Sequence, residues 1–277
     1  MNNVPEFNDD EDRTMLHTGL QTERKRRKTF NVGLAGSAAE VREAQRLRWQ
    51  VFAEEMGARL TSPEPGIDID LYDSWCDHLL VRDGDSGEVV GTYRILGPEA
   101  ARQVGSFYSD QEFDLTRLTH LRRRMVEVGR SCVHPDYRTG SVIALLWSGL
   151  ADYMQKSGHE YLIGCASIGM QDGGHNAAGV WQAIKDQHLA PVEWRVFPRC
   201  RLPLEELVSE APPRMRPEIP PLIKGYLRVG AWVCGEPAWD PDFNTADLLI
   251  MLSMRELNQS YARHFLNANA SGLQLNR

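Results

Sequence analysis

A carboxylate and two guanidiniums within twelve residues open the chemistry of this chain: Glu127, Arg130 and Arg138, in the run EVGRSCVHPDYR. Glu127 sits inside an apolar strand-like segment, between Val126 and Val128. Side chains alternate on a strand, so the carboxylate faces one way and its apolar neighbours the other. A carboxylate in a covered cleft loses solvation, and its pKa rises into the range of a usable base. Such a base can take the proton of an amine as the amine attacks a carbonyl. Arg130 offers a competing arrangement, a structural Glu127–Arg130 ion pair. The chain then turns through Gly129, Arg130, Ser131 and Pro135 and reaches Arg138-Thr139-Gly140-Ser141, directly before an apolar helical segment. Backbone N–H groups at a helix start are an anion site, suited to the phosphate of a coenzyme A or phosphopantetheine arm. A simple helix cap is the plainer alternative.

Other groups extend the pattern. Arg48 lies on the apolar face of a helix expected over 38–56, near Phe52. Glu64, Asp68, Asp70 and Asp73 give the next loop an acidic rim, fit for a cationic ligand or for a solvated turn. His78 follows that loop as an orienting residue or a structural one. Cys132 and His134 project from one side of an extended segment and compete for space, so nucleophilic catalysis is poorly served. No His/Cys/Asp cluster has metal-ligand spacing, so no metal is expected. The five cysteines are widely spaced and read as buried thiols.

The elements that must position these groups follow from periodicity. Strands are expected over His78–Val81 and Val89–Leu96, joined at the Asp83–Gly87 turn, with Arg94 on the second. Pro98 closes that strand, and 99–117 reads as a variable stretch in which Phe107 and Phe113 pack inward or cover a groove. Helices are expected over Val142–Met154, with Gly158 as its cap, over Gln171–His188, over Leu222–Val229 and over Met254–Leu266. Further strands fall at Tyr161–Ala166, Ala231–Cys234 and Ala246–Leu252, an extended segment at Pro191–Pro198, and a proline-rich connector at 212–221. The order predicts an α/β chain of the α+β type, with a mixed central sheet flanked by helices and a C-terminal extension. There is no GxGxxG and no regular βαβ alternation, which argues against a dinucleotide fold.

Composition narrows the classes. The chain has 277 residues and a net charge of -7, which argues against a nucleic-acid partner. Residues 1–30 carry an acidic cluster at 9–12 and a basic one at 24–28, and read as a disordered polar tail ahead of one domain over 31–277. The basic run suits anionic lipid at a membrane surface. No signal peptide or spanning helix is visible, so a cytoplasmic protein is expected, in contact with a membrane at most from its surface.

The segment VHPDYRTGSVIALL resembles the acyl-donor signature of the GNAT acyltransferase superfamily, with Ser141 and Ile143 where that signature usually has glycines. More of the chain is similar to the ornithine–acyl-carrier-protein N-acyltransferases: RWQVFAEEMG, DLYDSWCDHLLV, GEVVGTYRIL, EVGRSCVHPDYR, LLWSGLADYM, LIGCAS and GAWVCGEPAWDPDF. The layout also resembles, more distantly, the acyl-homoserine-lactone synthases. These resemblances imply a GNAT-like fold and an active cleft lined by Arg48, Phe52, Asp70, Asp73, Arg94, Glu127 and Arg130. They imply transfer of a 3-hydroxyacyl group from acyl carrier protein to the α-amine of ornithine, giving a lyso-ornithine lipid, with no cofactor beyond the donor's phosphopantetheine arm. In that reading Arg138, Thr139, Gly140 and Ser141 hold the donor, the acidic rim holds the diamino acid, and Arg94 or Arg130 its carboxylate. The run Arg122-Arg123-Arg124 meets the acidic carrier protein, or is a solvated turn. A coenzyme A-dependent N-acetyltransferase, a lactone synthase and a membrane-active protein are the competing readings.

Overall fold

The computed structural model describes residues 28–212 and 216–257. The first half of the chain gives β1 (Phe30–Leu34), α1 (Ala38–Trp49), β2 (Asp77–Asp83), β3 (Val89–Leu96), α2 (Pro98–Val104), β4 (Phe113–Asp114) and β5 (Met125–Val133). The second half gives α3 (Ser141–Ser157), β6 (Tyr161–Gly169), α4 (His175–His188), β7 (Phe197–Pro198), α5 (Leu204–Glu210), α6 (Pro221–Arg228), β8 (Trp232–Val233), β9 (Ala238–Asp240) and β10 (Thr245–Ser253). One mixed sheet runs β1-β2-β3-β5-β6-β10-β8, with β9 also on β10. All its ladders are antiparallel except β5–β6. α3 makes that parallel crossover, and its apolar face (Val142, Leu146, Leu150, Met154) packs on Val81, Val90, Ile95, Val126 and Val128. On the other sheet face, Ala44 and Leu47 of α1 and Val51 just after it pack against Leu80, Val89 and Cys132.

β5 and β6 pair only over Met125–Glu127 and Tyr161–Ile163, although both strands run on. Past Glu127 they part. Gly164 sits at the parting point, where a Cβ would lie 2.3 Å from the Val128 carbonyl oxygen.

Several expectations need correction. β5 does not turn at Gly129–Ser131 but continues to Val133 through a bulge. Two residues, Arg130 and Ser131, oppose the single Tyr93, and Arg130 takes φ 51. β1, a strand the polar context hid, starts among the described residues at Phe30, the last residue of the expected tail. Pro98 starts α2 rather than only ending β3, because proline lacks the N–H that a first helical turn leaves unpaired. The helix expected from 38 to 56 finishes as a π-helical turn, Gln50–Glu55, and the one expected from Gln171 starts at His175. α5 was not anticipated, and the segment before Pro198 holds a 3-10 turn at Val192–Trp194. Cys200 is exposed, unlike the other four cysteines. Met254–Leu257, the start of the expected closing helix, are turn and irregular chain, and its part from 258 on, like residues 1–27, lies outside the described residues.

Candidate active site

Where β5 and β6 part, a cleft of about 1320 Å³ opens. Glu127, Gly129, Arg130, Ser131, Arg138 and Gly140 line it from β5 and the loop beyond. Trp147 and Met154 line it from α3, Cys165 and Ser167 from β6, and Tyr226 from α6.

Glu127 is 4% exposed. Its carboxylate accepts the N–H of Tyr108 at 2.6 Å, the N–H of Ser109 at 2.8 Å, and the Ser109 hydroxyl. Burial pushes its pKa up, and the Ser109 and Tyr108 hydrogen bonds restrain that rise. The carboxylate is therefore rigidly aimed into the cleft, as a buried base must be. It does not pair with Arg130. Three residues apart on a regular strand they would face opposite ways; the bulge turns Arg130 onto the Glu127 face but towards other partners.

Those partners are the loop aspartates. Arg130 reaches Asp68 and Asp70 at 3.2 Å each. Arg48, fully buried, bonds Asp68 and Asp73 at 2.7 Å each, and Arg94 bonds Asp70 at 2.6 Å. Three arginines thus neutralise three aspartates beneath the cleft. Burial would raise Asp73, but Arg48 and Arg94 outweigh it and hold that carboxyl well below the usual range. Asp70 is likewise held low against burial by Arg94 and Arg130. The expected acidic rim is consequently paired with arginines, and Asp68 and Asp70 of it also line a second pocket beside the cleft. His78 lies buried beneath it, Nε2 at 3.0 Å from the Asp73 carbonyl, with its pKa lowered by burial. His78, Arg48 and Asp73 do not line the cleft; Phe52, Arg94 and Arg130 do.

At the other end, Gly140 (φ 90) leads into α3, and no side chain caps the first turn. Arg138 is already held by Glu55, at 2.6 and 2.7 Å, and also donates to the Val133 carbonyl. The Thr139 and Ser141 hydroxyls lie 2.9 Å apart. Of the three-arginine run, Arg122 bonds Asp110 and Arg124 bonds Glu160, which leaves Arg123 the most open. Cys132 is buried under α1 and Cys165 touches Ser109 at 3.4 Å; burial pushes both thiols up, so neither is a thiolate nucleophile.

Sequence reasoning missed a second acidic group. Glu112, Asp240 and Asp242 line an annexe of about 290 Å³ beside Arg130 and Tyr108, and Asp240 with the 4%-exposed Asp247 borders the main cleft. Asp247 takes the Thr245 hydroxyl at 2.9 Å. Burial, with Asp240 nearby, pushes Asp247 up to about 6. Burial and the neighbouring aspartates push Glu112 up to about 8. These carboxylates share their pocket with Arg130 and Arg59, whereas the first set is paired directly with three arginines. One signal was legible: Asp247 interrupts the otherwise apolar strand Ala246–Leu252.

Relatives settle the family. A protein of Rhodobacter capsulatus described as an L-ornithine N(alpha)-acyltransferase is 37% identical over 88% of this chain and 97% of its own. The chain belongs to the L-ornithine Nα-acyltransferase family. A family member from Rhizobium meliloti is 40% identical over 84% of this chain and 82% of its own. Within the family's shared length, residues 47–148 match the model described as an acetyltransferase (GNAT) domain. Solved structures share the fold. The coenzyme A-dependent acyl-homoserine-lactone synthase BjaI aligns with TM-score 0.50 at 15% identity, over 90% of this chain and 93% of its own. The N-acyl amino acid synthase FeeM, from uncultured soil microbes, aligns with TM-score 0.51 at 12% identity, over 83% and 93%. For the Nα-acyltransferase family the expected GNAT-like fold is thereby established, as is N-acyl transfer as the class of reaction.

Proposed function

We propose that the protein transfers a 3-hydroxyacyl group from the phosphopantetheine thioester of an acyl carrier protein to the α-amine of L-ornithine, yielding a lyso-ornithine lipid. The observation that carries this reading is the cleft that Glu127 lines, bordered by the uncapped start of α3 at Gly140 and by the carboxylates of Asp240 and Asp247. The family relatives support ornithine as the acceptor.

In this reading the donor phosphate lies at the start of α3, on the N–H groups after Gly140, with Arg138 exchanging Glu55 for it. Thr139 and Ser141 supply hydroxyls there. Glu127 takes the proton from the α-ammonium of ornithine. The amine nitrogen attacks the thioester carbonyl, and the tetrahedral oxyanion meets the backbone of Gly129–Val133, which has no β6 partner past the parting point. The C–S bond breaks as the C–N bond is completed, the amide nitrogen loses its second proton, and the leaving thiolate is protonated to the free thiol. Arg130, whose closest ion pair at 3.2 Å is longer than the closest of Arg48 and Arg94 at 2.7 and 2.6 Å, holds the ornithine carboxylate. Asp240, Asp247 and Glu112 hold the side-chain ammonium, the role first assigned to Asp70 and Asp73. Arg123 meets the carrier protein. Leu71, at the annexe, and Trp75 are both exposed and suit contact with the membrane that receives the product. Among the described residues no helix is long and apolar enough to cross a membrane.

Purified protein incubated with ornithine and either a 3-hydroxyacyl carrier protein or the matching acyl-coenzyme A tests the reading by mass spectrometry. Amide formed only from coenzyme A would sink the carrier-protein donor, and no amide with ornithine would sink the acceptor. Asp247→Asn and Glu112→Gln are each expected to raise the ornithine KM about 10- to 100-fold, the cost of losing a charge-assisted hydrogen bond, with the donor KM nearly constant. Glu112 is largely protonated in the free protein at pH 7, because its pKa is about 8. Ionisation strengthens its hold on a cation. The ornithine KM is therefore expected to fall as pH rises from 6 to 8, and Glu112→Gln to flatten that slope. A slope that persists in the variant would remove Glu112 from the acceptor site.

A further inference from the structure

The turn that holds Glu127 is itself held from behind. Tyr108–Asp110 form one 3-10 turn after Phe107. The first N–H groups of a helical turn have no partner within it. Those of Tyr108 and Ser109 go to the Glu127 carboxylate, together with the Ser109 hydroxyl. That of Phe107 goes to the Asp110 carboxylate at 2.9 Å. Three consecutive N–H groups thus serve two carboxylates, and the direction of one set depends on where the other carboxylate sits. Asp110 in turn is gripped by Arg122: Nη1 donates to Oδ2 at 2.8 Å, and Nη2 to Oδ1. Such a fork fixes the orientation of a carboxylate, which a point charge does not. The Arg122 guanidinium also lies over the buried Phe107 ring, 5.5 Å from its centre.

Arg122 stands five residues before Glu127, in the 3-10 segment Thr116–Arg124 that runs directly into β5. The stretch 122–127 therefore closes around the turn. The guanidinium at one end holds Asp110, and the carboxylate at the other receives Tyr108 and Ser109. The turn has further ties, but these fix carbonyls rather than N–H groups. Arg199 Nε donates to the Asp110 carbonyl at 2.7 Å, and the Tyr72 hydroxyl to the Phe107 carbonyl at 3.2 Å. Neither Arg122 nor Asp110 lines the cleft. Of the other groups that act on Glu127, Arg94 comes from β3, Cys165 from β6 and Cys76 from the loop before β2. Burial keeps both thiols and the Tyr108 phenol protonated, so Arg94 and Arg122 are the cations among them.

We infer that Arg122 is a positioning residue: through Asp110 it sets the 107–110 turn, and the turn aims the Glu127 carboxylate at the reacting amine. The inference rests on the acyl-transfer reading above and adds to it a residue outside the cleft on which the rate depends. It also separates the roles of Arg122 and Arg123 within the three-arginine run.

Carbon NMR of isotope-labelled glutamate side chains, with the Glu127 signal assigned by its loss in Glu127→Gln, reads the titration of that carboxyl without turnover. Arg122→Gln is expected to move the titration to higher pH, because hydrogen bonds that favour the charged form weaken. Loss of a nearby positive charge acts in the same direction, so Arg122→Lys is the deciding variant: it keeps the charge and loses the fork. Its titration is expected to rise as well. Both variants are expected to lower kcat about 10- to 100-fold, the cost of a misplaced catalytic group, with the ornithine KM nearly constant. A titration that stays in place in both variants, or that lysine returns to its position in the unaltered protein, overturns the inference. Arg122→Lys is also the gentler change and keeps the test available should Arg122→Gln unfold. Ornithine amide formation by the unaltered protein is measured separately: its absence removes the acyl-transfer reading, while the NMR titration still decides whether Arg122 sets Glu127.

Discussion

Glu127→Gln is expected to lower kcat by about 10²- to 10⁴-fold, the usual contribution of a positioned general base, while the donor KM changes far less. Glu127 is buried at the waist of the cleft and held by three hydrogen bonds from Tyr108 and Ser109. Glutamine matches its shape but cannot accept a proton at pH 7. It also carries an NH2 group, and in either orientation that group faces a backbone N–H, of Tyr108 or of Ser109. Some displacement of the 107–110 turn is therefore expected, and a rate loss alone would not separate chemistry from support.

The pH profile separates them. Burial raises the Glu127 pKa above the ordinary carboxylate value. The base form is lost as pH falls through that raised value, so kcat/KM should decline on the acid side with Glu127 as the titrating group. In Glu127→Gln this acid limb should vanish from whatever rate remains. Ser109→Ala removes a hydrogen bond that favours the charged form, so the limb should move to higher pH. A limb that stays in place in Ser109→Ala, or survives in Glu127→Gln, would reassign Glu127 to positioning the 107–110 turn.

Part of this site is legible in the chain because local chemistry determines it. The Asp83-Gly84 turn announces the β2–β3 hairpin, and the apolar face before Gly158 announces α3. A carboxylate amid valines marks Glu127. The bulge is not legible, because it depends on two residues of β5 meeting one residue of β3 across the sheet. Without it, strict alternation sends Arg130 to the wrong face. Charge is legible as composition but not as pairing: Asp68, Asp70 and Asp73 look like a ligand site until Arg48, Arg94 and Arg130 are found against them. The second acidic group is assembled from Glu112 and, more than a hundred residues later, Asp240 and Asp247, and only the fold brings it together. The contact of the Tyr93 and Tyr226 hydroxyls and the stack of Tyr226 on Trp147 are hidden for the same reason, since β3, α3 and α6 each supply one member.

Removing Arg48 should have the largest effect on stability. Its guanidinium has no exposed surface and makes four hydrogen bonds of 2.6–2.8 Å, to Asp68, to Asp73 and to the Asp68 carbonyl. Those bonds tie α1 to the 58–75 loop. Arg48→Ala leaves three aspartates facing two arginines, one uncompensated negative charge in the interior. Breaking a buried pair from one side costs about 3–5 kcal/mol, which at roughly 2–4 °C per kcal/mol for a chain of this size lowers Tm by about 6–20 °C. The pH dependence carries the mechanism. Asp73 is held low in the folded protein, so its contribution is present above the ordinary aspartate pKa and is lost as pH falls below it. The unaltered protein should therefore lose stability on acidification. Arg48→Ala should lose less, because protonating Asp73 relieves the stranded charge, and the gap between the two proteins should narrow from pH 7 to pH 4. Urea unfolding at both pH values measures this. A gap below about 1 kcal/mol at pH 7, the range of exposed pairs, would mean that water reaches the network and that the three arginines do not set the shape of the cleft floor. A wide gap that stays constant with pH would assign the loss to packing around the Arg48 stem rather than to its charge.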